Sequence, residues 1–90
     1  MHESEIKPHL LRILKKLSKK DKVAYEAAIG KIKEIINSPD VEHYKNLRYD
    51  LKDQKRVHIT KNFVLVFSYD QTKNLITFLD YDHHDKIYKK

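Results

Sequence analysis

Hydrophobic residues in the first part of the chain recur at intervals of three and four. A first helix is predicted to begin at Pro8, because proline lacks the N–H group that has no partner in a first helical turn. Its apolar stripe consists of Leu10, Leu11, Ile13, Leu14 and Leu17. A turn is predicted at 18–21, and a second helix over 22–36, with Asp21 as its N-cap. The two helices are expected to form an antiparallel hairpin, preceded by a candidate edge strand at 3–7.

From residue 55 the period of the pattern changes to two. Val57 and Ile59 alternate with polar side chains, as in a strand that buries one face. Those polar residues are Arg56, His58 and Thr60. Because side chains two apart in a strand point to the same face, Arg56 and His58 are expected to share the solvent side of the sheet.

Two further strands are predicted after this one. Residues 63–67 (FVLVF) are apolar at every position and predict a central strand, and residues 75–80 predict the next strand. Short connections favour a three-stranded antiparallel meander. Residues 41–54 are polar and are predicted to be irregular, with four anchoring side chains: Tyr44, Leu47, Tyr49 and Leu51.

These elements predict an α+β fold in which the N-terminal antiparallel helical hairpin packs on one face of a twisted antiparallel β-sheet. The other face is expected to stay open and basic, with Arg56 and His58 on it. Ninety residues predict a single domain over 1–90.

The charge of the chain narrows the choice of partners. The formal net charge is +6, and the isoelectric point is about 9.5. Such a surface favours polyanions such as nucleic acid, although lysine-rich surfaces also occur simply because lysine keeps a protein in solution. The absence of cysteine excludes disulfides, thiolate catalysis and cysteine-based zinc sites. Neither a transmembrane run nor an apolar signal segment is found, which predicts a cytoplasmic protein with no membrane partner.

Histidines and cations near the predicted sheet point to RNA cleavage. That reaction needs a base for the 2′-hydroxyl, cations for the charge on the phosphorane, and an acid for the leaving 5′ oxygen. His58 and Arg56 could supply part of this set, with a solvated strand residue as the alternative for His58. The loop expected before their strand carries candidate RNA-binding cations: Lys45, Arg48, Lys52 and Lys55.

The segment after the last predicted strand supplies the second candidate histidine. His84 is followed by Ile87, which can anchor the segment, and by Tyr88, which could orient a phosphate or stack on a base. Tyr88 could equally be a core or interface aromatic. Phe63 is a further candidate for base stacking, with a core position as the alternative.

Metal and serine chemistry are not predicted. The run Asp80-Tyr81-Asp82-His83-His84-Asp85 contains suitable ligand types, but consecutive residues of an extended chain splay apart. No resident metal or other cofactor is therefore expected. The serines lack the context of a catalytic nucleophile, and one glycine cannot form a glycine-rich phosphate loop.

The order and spacing of these segments resemble those of the RelE/ParE superfamily of toxins from bacterial and archaeal toxin–antitoxin pairs. The resemblance spans nearly the whole chain, and its most specific part is His84-x-x-Ile87-Tyr88 after an apolar strand. It is nearer to the YafQ-like branch of the RelE nucleases than to RelE itself. The other matching segments are Tyr44-Lys45-Asn46-Leu47-Arg48, Lys55-Arg56-Val57-His58-Ile59 and Asn62-Phe63.

The resemblance implies a ribosome-dependent mRNA endonuclease that enters the A site and cuts by metal-independent 2′-hydroxyl attack. By this analogy His58 and His84 share the acid–base work, Arg56, Arg48 and Lys45 hold phosphate, and Tyr88 orients the substrate. Three positions depart from the family pattern. This chain has Asn62 where the family has an aspartate, and Val64 and Asp80 where members of the family have arginines.

The same resemblance leaves two other functions open. ParE-type members share the fold, lack the nuclease residues and inhibit DNA gyrase. A degenerate toxin would act only as the partner of an antitoxin. In each case the expected partner is an acidic antitoxin that is partly disordered when free. The toxin alone is expected to be a monomer and to form a higher assembly with the antitoxin.

Overall fold

The computed structural model describes residues 2–48 and 51–89, and the side chains of 48 and 51–53 also lie outside the described part. Two helices form the predicted hairpin, α1 (Pro8–Lys20) and α2 (Lys22–Ile36). Asp21 alone separates them. Its N–H donates to the Leu17 carbonyl (2.9 Å) and so ends α1, and its carboxylate accepts from the Ala24 N–H (3.1 Å) and caps α2. The turn predicted at 18–21 is therefore too long, because one residue performs both tasks.

The sheet contains five strands in the order β1-β5-β4-β3-β2. They are β1 (Glu3–Ile6), β2 (Asn46–Arg48), β3 (Leu51–His58), β4 (Phe63–Asp70) and β5 (Leu75–His83). β1 pairs in parallel with β5, and the other neighbours are antiparallel. The edge strand, the meander and the α+β class are thus confirmed.

The prediction that residues 41–54 are irregular is wrong in part. It contains a 3₁₀ turn (Val41–His43), then β2 and the beginning of β3. The two segments escape a pattern-based prediction because they are polar, and β2 is an edge strand, where few apolar positions are needed. Arg48, Lys52 and Lys55 therefore belong to strands rather than to a loop.

The main core lies between the helical hairpin and one face of the sheet. Its helical residues include Leu10, Leu14, Ala28, Ile32 and Ile35, and its strand residues include Leu65, Phe67, Ile76, Phe78 and Tyr81. The largest of these, Phe67 and Phe78, are fully buried with ring centroids 6.0 Å apart. The hairpin thus fixes the positions of β4 and β5 from one side.

The opposite face of the sheet is only partly open, which corrects the prediction. A short helix, α3 (His84–Lys89), follows β5 directly. Its Ile87 is 4% exposed and packs with Val64 and Val66 in a second, smaller core. Leu47 and Leu79 pack against this cluster. Among the described residues, no helix is long and apolar enough to cross a membrane.

Candidate active site on the second sheet face

The second face of the sheet carries two of the predicted site residues on β3. Arg56 pairs with Val66, and His58 pairs with Val64 on the neighbouring strand. Val64 and Val66 are the residues that Ile87 covers. Because paired residues of antiparallel strands share a face, Arg56 and His58 lie on one face of the sheet, as predicted, and beside the small core, which was not predicted.

Helix α3 brings the other two predicted residues to the same face. The His84 N–H donates to the Asn62 carbonyl (2.8 Å), which ties the beginning of the helix to the turn between β3 and β4. Ile87 then anchors the helix in the small core. A helix of six residues is not stable alone, so these two attachments hold His84 and Tyr88 in place.

The two candidate catalytic histidines lie close together. The ring centroids of His58 and His84 are 6.5 Å apart, and both rings are accessible to solvent. The His84 Nδ1 lies 3.1 Å from a carboxylate oxygen of Asp85. This contact orients the imidazole, so that its Nε2 remains available to a substrate. Asp85 is not among the site residues predicted from the sequence, although a carboxylate directly after a candidate histidine is a usable signal.

Arg56 and Tyr88 form a second pair beside the histidines. The Arg56 guanidinium carbon lies 5.7 Å from the centroid of the Tyr88 ring, within the range of a cation–π contact. Among the described residues, the buried Nε of Arg56 has no hydrogen-bond partner. A buried donor of this kind gains most from an anionic acceptor such as a phosphate oxygen.

Lys45 lies next to this pair at the edge of β3. The Lys45 carbonyl accepts a hydrogen bond from the Arg56 N–H (2.9 Å), and its side chain is exposed. A shallow pocket of about 270 Å³ opens here, lined by His43, Tyr44, Lys45, Arg56, Val57 and His58. Burial and a hydrogen bond to Glu34 raise the pKa of Tyr44 to about 12.

Lys55 does not contribute a cation to this surface, contrary to prediction. Its side chain is 4% exposed, and its Nζ donates to the Tyr44 carbonyl and to the Asn46 Oδ1, each at 3.2 Å. Glu42 Oε2 lies 3.9 Å from the same ammonium. The side chain points into the fold because Lys55, like Val57, faces the helical side of the sheet. It joins β3 to the preceding turn and cannot reach RNA.

The remaining predicted RNA-binding residues are not all brought to the site. The side chains of Arg48 and Lys52 lie outside the described residues. Phe63 alternates with Val64 and therefore starts on the helical side of the sheet. Its ring stacks on Tyr81 (5.3 Å between centroids) and meets His83 edge-on (5.6 Å). One face of this exposed ring is thus already occupied, and Phe63 reaches the site only through His83.

Two of the residues that depart from the family pattern, Val64 and Asp80, make contacts that stabilise the fold. Val64 is fully buried under Ile87, where an arginine would leave a charge in an apolar cluster. Asp80 lies 3.1 Å from the Nε2 of His9 on α1. These two positions therefore serve packing and a link between α1 and β5.

Comparisons with known proteins show relatives of the whole chain. No family model matches the chain. It is 54% identical over 90 residues to a Methanocaldococcus jannaschii protein named "Putative toxin RelE4", which covers 100% of this chain and 94% of the relative. It is also 46% identical over 88 residues to an uncharacterized protein of Methanosarcina mazei, covering 98% of this chain and 100% of the relative.

Solved structures share the fold at low sequence identity. The YoeB/ParE toxin of Agrobacterium tumefaciens superposes with a TM-score of 0.75 at 12% identity, over 91% of this chain and 98% of that chain. The intact Escherichia coli RelBE toxin–antitoxin complex gives 0.73 at 17% identity, over 92% and 96%. YafQ of E. coli gives 0.65 at 14% identity, over 98% and 99%.

Proposed function

The chain belongs to the RelE/ParE superfamily of toxins, and from this premise we propose that it is the ribosome-dependent mRNA endonuclease of a toxin–antitoxin pair. The observation that carries the proposal is the pairing of His58 with His84, 6.5 Å apart, beside Arg56 on one sheet face. Two imidazoles at this separation can both reach oxygen atoms of a single phosphodiester.

The proposed reaction transfers two protons around one phosphorus atom. One histidine takes the proton of the 2′-hydroxyl, and the 2′ oxygen bonds to phosphorus. The bond from phosphorus to the 5′ oxygen breaks as the other histidine protonates that oxygen. The products are a 2′,3′-cyclic phosphate and a 5′-hydroxyl. A positioned acid or base contributes typically ~10²–10⁴-fold to the rate, and histidine is suited to both roles near neutral pH.

Arg56 would neutralise the charge that accumulates on the phosphorane. Its Nε is a buried donor without a partner among the described residues, and the Tyr88 contact orients the guanidinium plane. A donor fixed before the reaction stabilises the transition state without reorganisation. Lys45, exposed beside the pocket, would hold a neighbouring phosphate.

A cognate antitoxin is the proposed protein partner. One structure with the same fold, RelBE of E. coli, is a toxin–antitoxin complex. A net charge of +6 favours an acidic partner that covers the basic surface, and such association weakens with salt. Binding across the second sheet face would block access to both histidines.

The proposal is tested by primer extension on an mRNA translated in a cell-free system. The wild-type protein should cut within the codon at a stalled A site, and the His58→Ala/His84→Ala double variant should not. His9→Ala is the matched control, because His9 is another exposed histidine beside a carboxylate. Circular dichroism and urea unfolding would check that each variant is folded.

Three results would contradict the proposal. Equal cutting by the double variant would refute the histidine mechanism. Absence of cuts together with blocked gyrase supercoiling would indicate a ParE-like inhibitor. Absence of both effects would indicate a degenerate toxin that only binds its antitoxin.

A further inference from the structure

Three metal-binding side chains meet where β5 ends and α3 begins. One ligand atom from each of His83, His84 and Asp85 lies within 4.8 Å of the others. The carboxylate of Asp85 lies 3.1 Å from the Nδ1 of His84 and 3.8 Å from the Nδ1 of His83. The two imidazole rings stack at 4.7 Å between centroids.

The change of secondary structure explains this convergence. The expectation that adjacent side chains splay apart holds only while the chain stays extended. Here the strand ends at His83 and the helix begins at His84, so the backbone turns between them. The side chains of His83 and His84 consequently lie side by side instead of on opposite faces.

Neighbouring groups hold the cluster in position. The Phe63 ring meets His83 edge-on at 5.6 Å, and Phe63 itself stacks on the buried Tyr81. The Asp85 N–H lies 3.2 Å from the Nδ1 of His83. The side chains of His83 and His84 are 35% and 36% exposed, so an ion can enter from solvent. A ligand set that is already assembled loses less conformational entropy on binding.

We propose that His83, His84 and Asp85 bind a divalent transition-metal ion of the zinc class. Two imidazoles and one carboxylate are ligands that such ions accept, with water completing the coordination. The His58 ring, 6.5 Å from that of His84, is near enough to supply a fourth ligand after side-chain rotation. Binding would replace the hydrogen bond between the Asp85 N–H and His83.

Metal binding at this position would inhibit the toxin. The ion occupies a ring nitrogen of His84, the histidine that the proposed cleavage reaction uses. This consequence rests on the proposed function, whereas the metal site itself does not. A substitution of His83 distinguishes metal binding from RNA cleavage, because His83 belongs to the cluster and has no role in the proposed cleavage reaction.

The metal site is tested by titrating the purified full chain with Zn²⁺ in a calorimeter and with Co²⁺ in a visible absorption experiment. The wild-type protein should bind one ion at this cluster and give the absorption bands of bound Co²⁺. His83→Gln should weaken binding at least ~10-fold, as loss of even an outer partner of a metal ligand does. His9→Gln, which alters a histidine–carboxylate pair outside the cluster, should bind like the wild type.

Metal binding and RNA cleavage are measured separately, so the two proposals can fail independently. Absent binding, or equal binding by His83→Gln, would overturn the metal site and leave the nuclease proposal standing. In the cleavage assay, Zn²⁺ should stop the wild-type protein and spare His83→Gln. Undiminished cutting at saturating Zn²⁺ would overturn the inhibitory role. A chain that binds Zn²⁺ at this cluster but never cuts RNA would support the site and refute the proposed function.

Discussion

Arg56 shows how much a single side chain can contribute beyond its charge. Its guanidinium faces the Tyr88 ring at 5.7 Å, which a lysine ammonium cannot match in shape. We predict that Arg56→Lys lowers the single-turnover rate of mRNA cleavage by roughly 10²–10³-fold, the usual effect of losing one transition-state donor. Urea unfolding should show little change in stability.

Arg12→Lys is the matched control for this prediction, because Arg12 lies on α1 away from the site. A full cleavage rate for Arg56→Lys would mean that charge alone suffices. Tyr88 would then have no orienting role through Arg56.

A second prediction concerns the hydrogen bond between Tyr44 and Glu34, which should make the stability of the fold depend on pH. The Tyr44 hydroxyl donates to Glu34 Oε2 at 2.7 Å. Burial of the phenol is the larger cause and this hydrogen bond the next, and together they raise the pKa of Tyr44 from 10.0 to about 12. The folded state therefore keeps a proton that the unfolded state loses first. This contribution to stability should be complete below pH 10 and should disappear between pH 10 and about 12.

Tyr44→Phe should remove that alkaline loss of stability. At neutral pH it should lower the free energy of unfolding by at most about 1 kcal/mol, because the bond is exposed to solvent. The same hydrogen bond lowers the pKa of Glu34 below 4.5. The ionised Glu34 carboxylate therefore stabilises the fold above that pH, and this stabilisation is lost as the pH falls further. Urea unfolding across the pH range measures both effects, with Tyr69→Phe as control. An unchanged alkaline profile in Tyr44→Phe would assign the loss to other groups.

At the level of elements, α3 depends on one buried side chain. Ile87 is 4% exposed and packs on Val64 and Val66. Ile87→Ala removes about 2–5 kcal/mol of packing, more than a six-residue helix can replace. We predict that α3 detaches, with faster amide hydrogen exchange in residues 84–89 and loss of RNA cleavage. Lys86→Ala, on the exposed side of the same helix, should leave exchange and cleavage unchanged. Slow exchange in Ile87→Ala would show that the Asn62–His84 bond suffices.

The link between β3 and the turn before β2 depends on Lys55. Its ammonium donates two hydrogen bonds at 3.2 Å from a side chain that is 4% exposed. Lys55→Met keeps the aliphatic stem but leaves the Tyr44 carbonyl and Asn46 without this donor. We predict a loss of about 2–3 kcal/mol in the free energy of unfolding, the scale of hydrogen bonds from a charged group. The exposed Lys61→Met is the control, and equal stability of the two variants would contradict a structural role for Lys55.

Elements with strong local signals could be predicted from the sequence, and elements made by pairing could not. The bounds of α2 follow from Asp21 and Pro39, since capping and the restriction before proline act locally. β2 and the start of β3 are polar and exist because they pair with each other. α3 is too short for a periodic pattern. His58, His84 and Arg56 can be proposed from residue type alone. Alternation with Val57 already places Lys55 on the helical side of the sheet, but its hydrogen bonds to the Tyr44 carbonyl and Asn46 come from a turn and a strand that the pattern does not predict.

For the whole molecule, the excess of positive charge predicts how the toxin finds its target. The net charge is +6, and four cations of α1 lie together on the surface: Arg12, Lys15, Lys16 and Lys19. Attraction to polyanionic ribosomes should weaken as salt screens it. We predict that added salt raises KM for mRNA cleavage on ribosomes and leaves the rate at saturation nearly constant. A fall in the saturated rate with unchanged KM would mean that salt acts on the chemical step instead.

The pairing of β1 with β5 also determines when the candidate site can be complete. Glu3 lies beside Leu75, so the first strand finds its neighbour only after most of the chain has been synthesised. His84 and the anchoring Ile87 are added later still. A nascent chain can form the helical hairpin early, but it has neither a complete sheet nor paired histidines. On the proposed function, a nascent chain that has not reached Ile87 therefore lacks the assembled site that would cut mRNA.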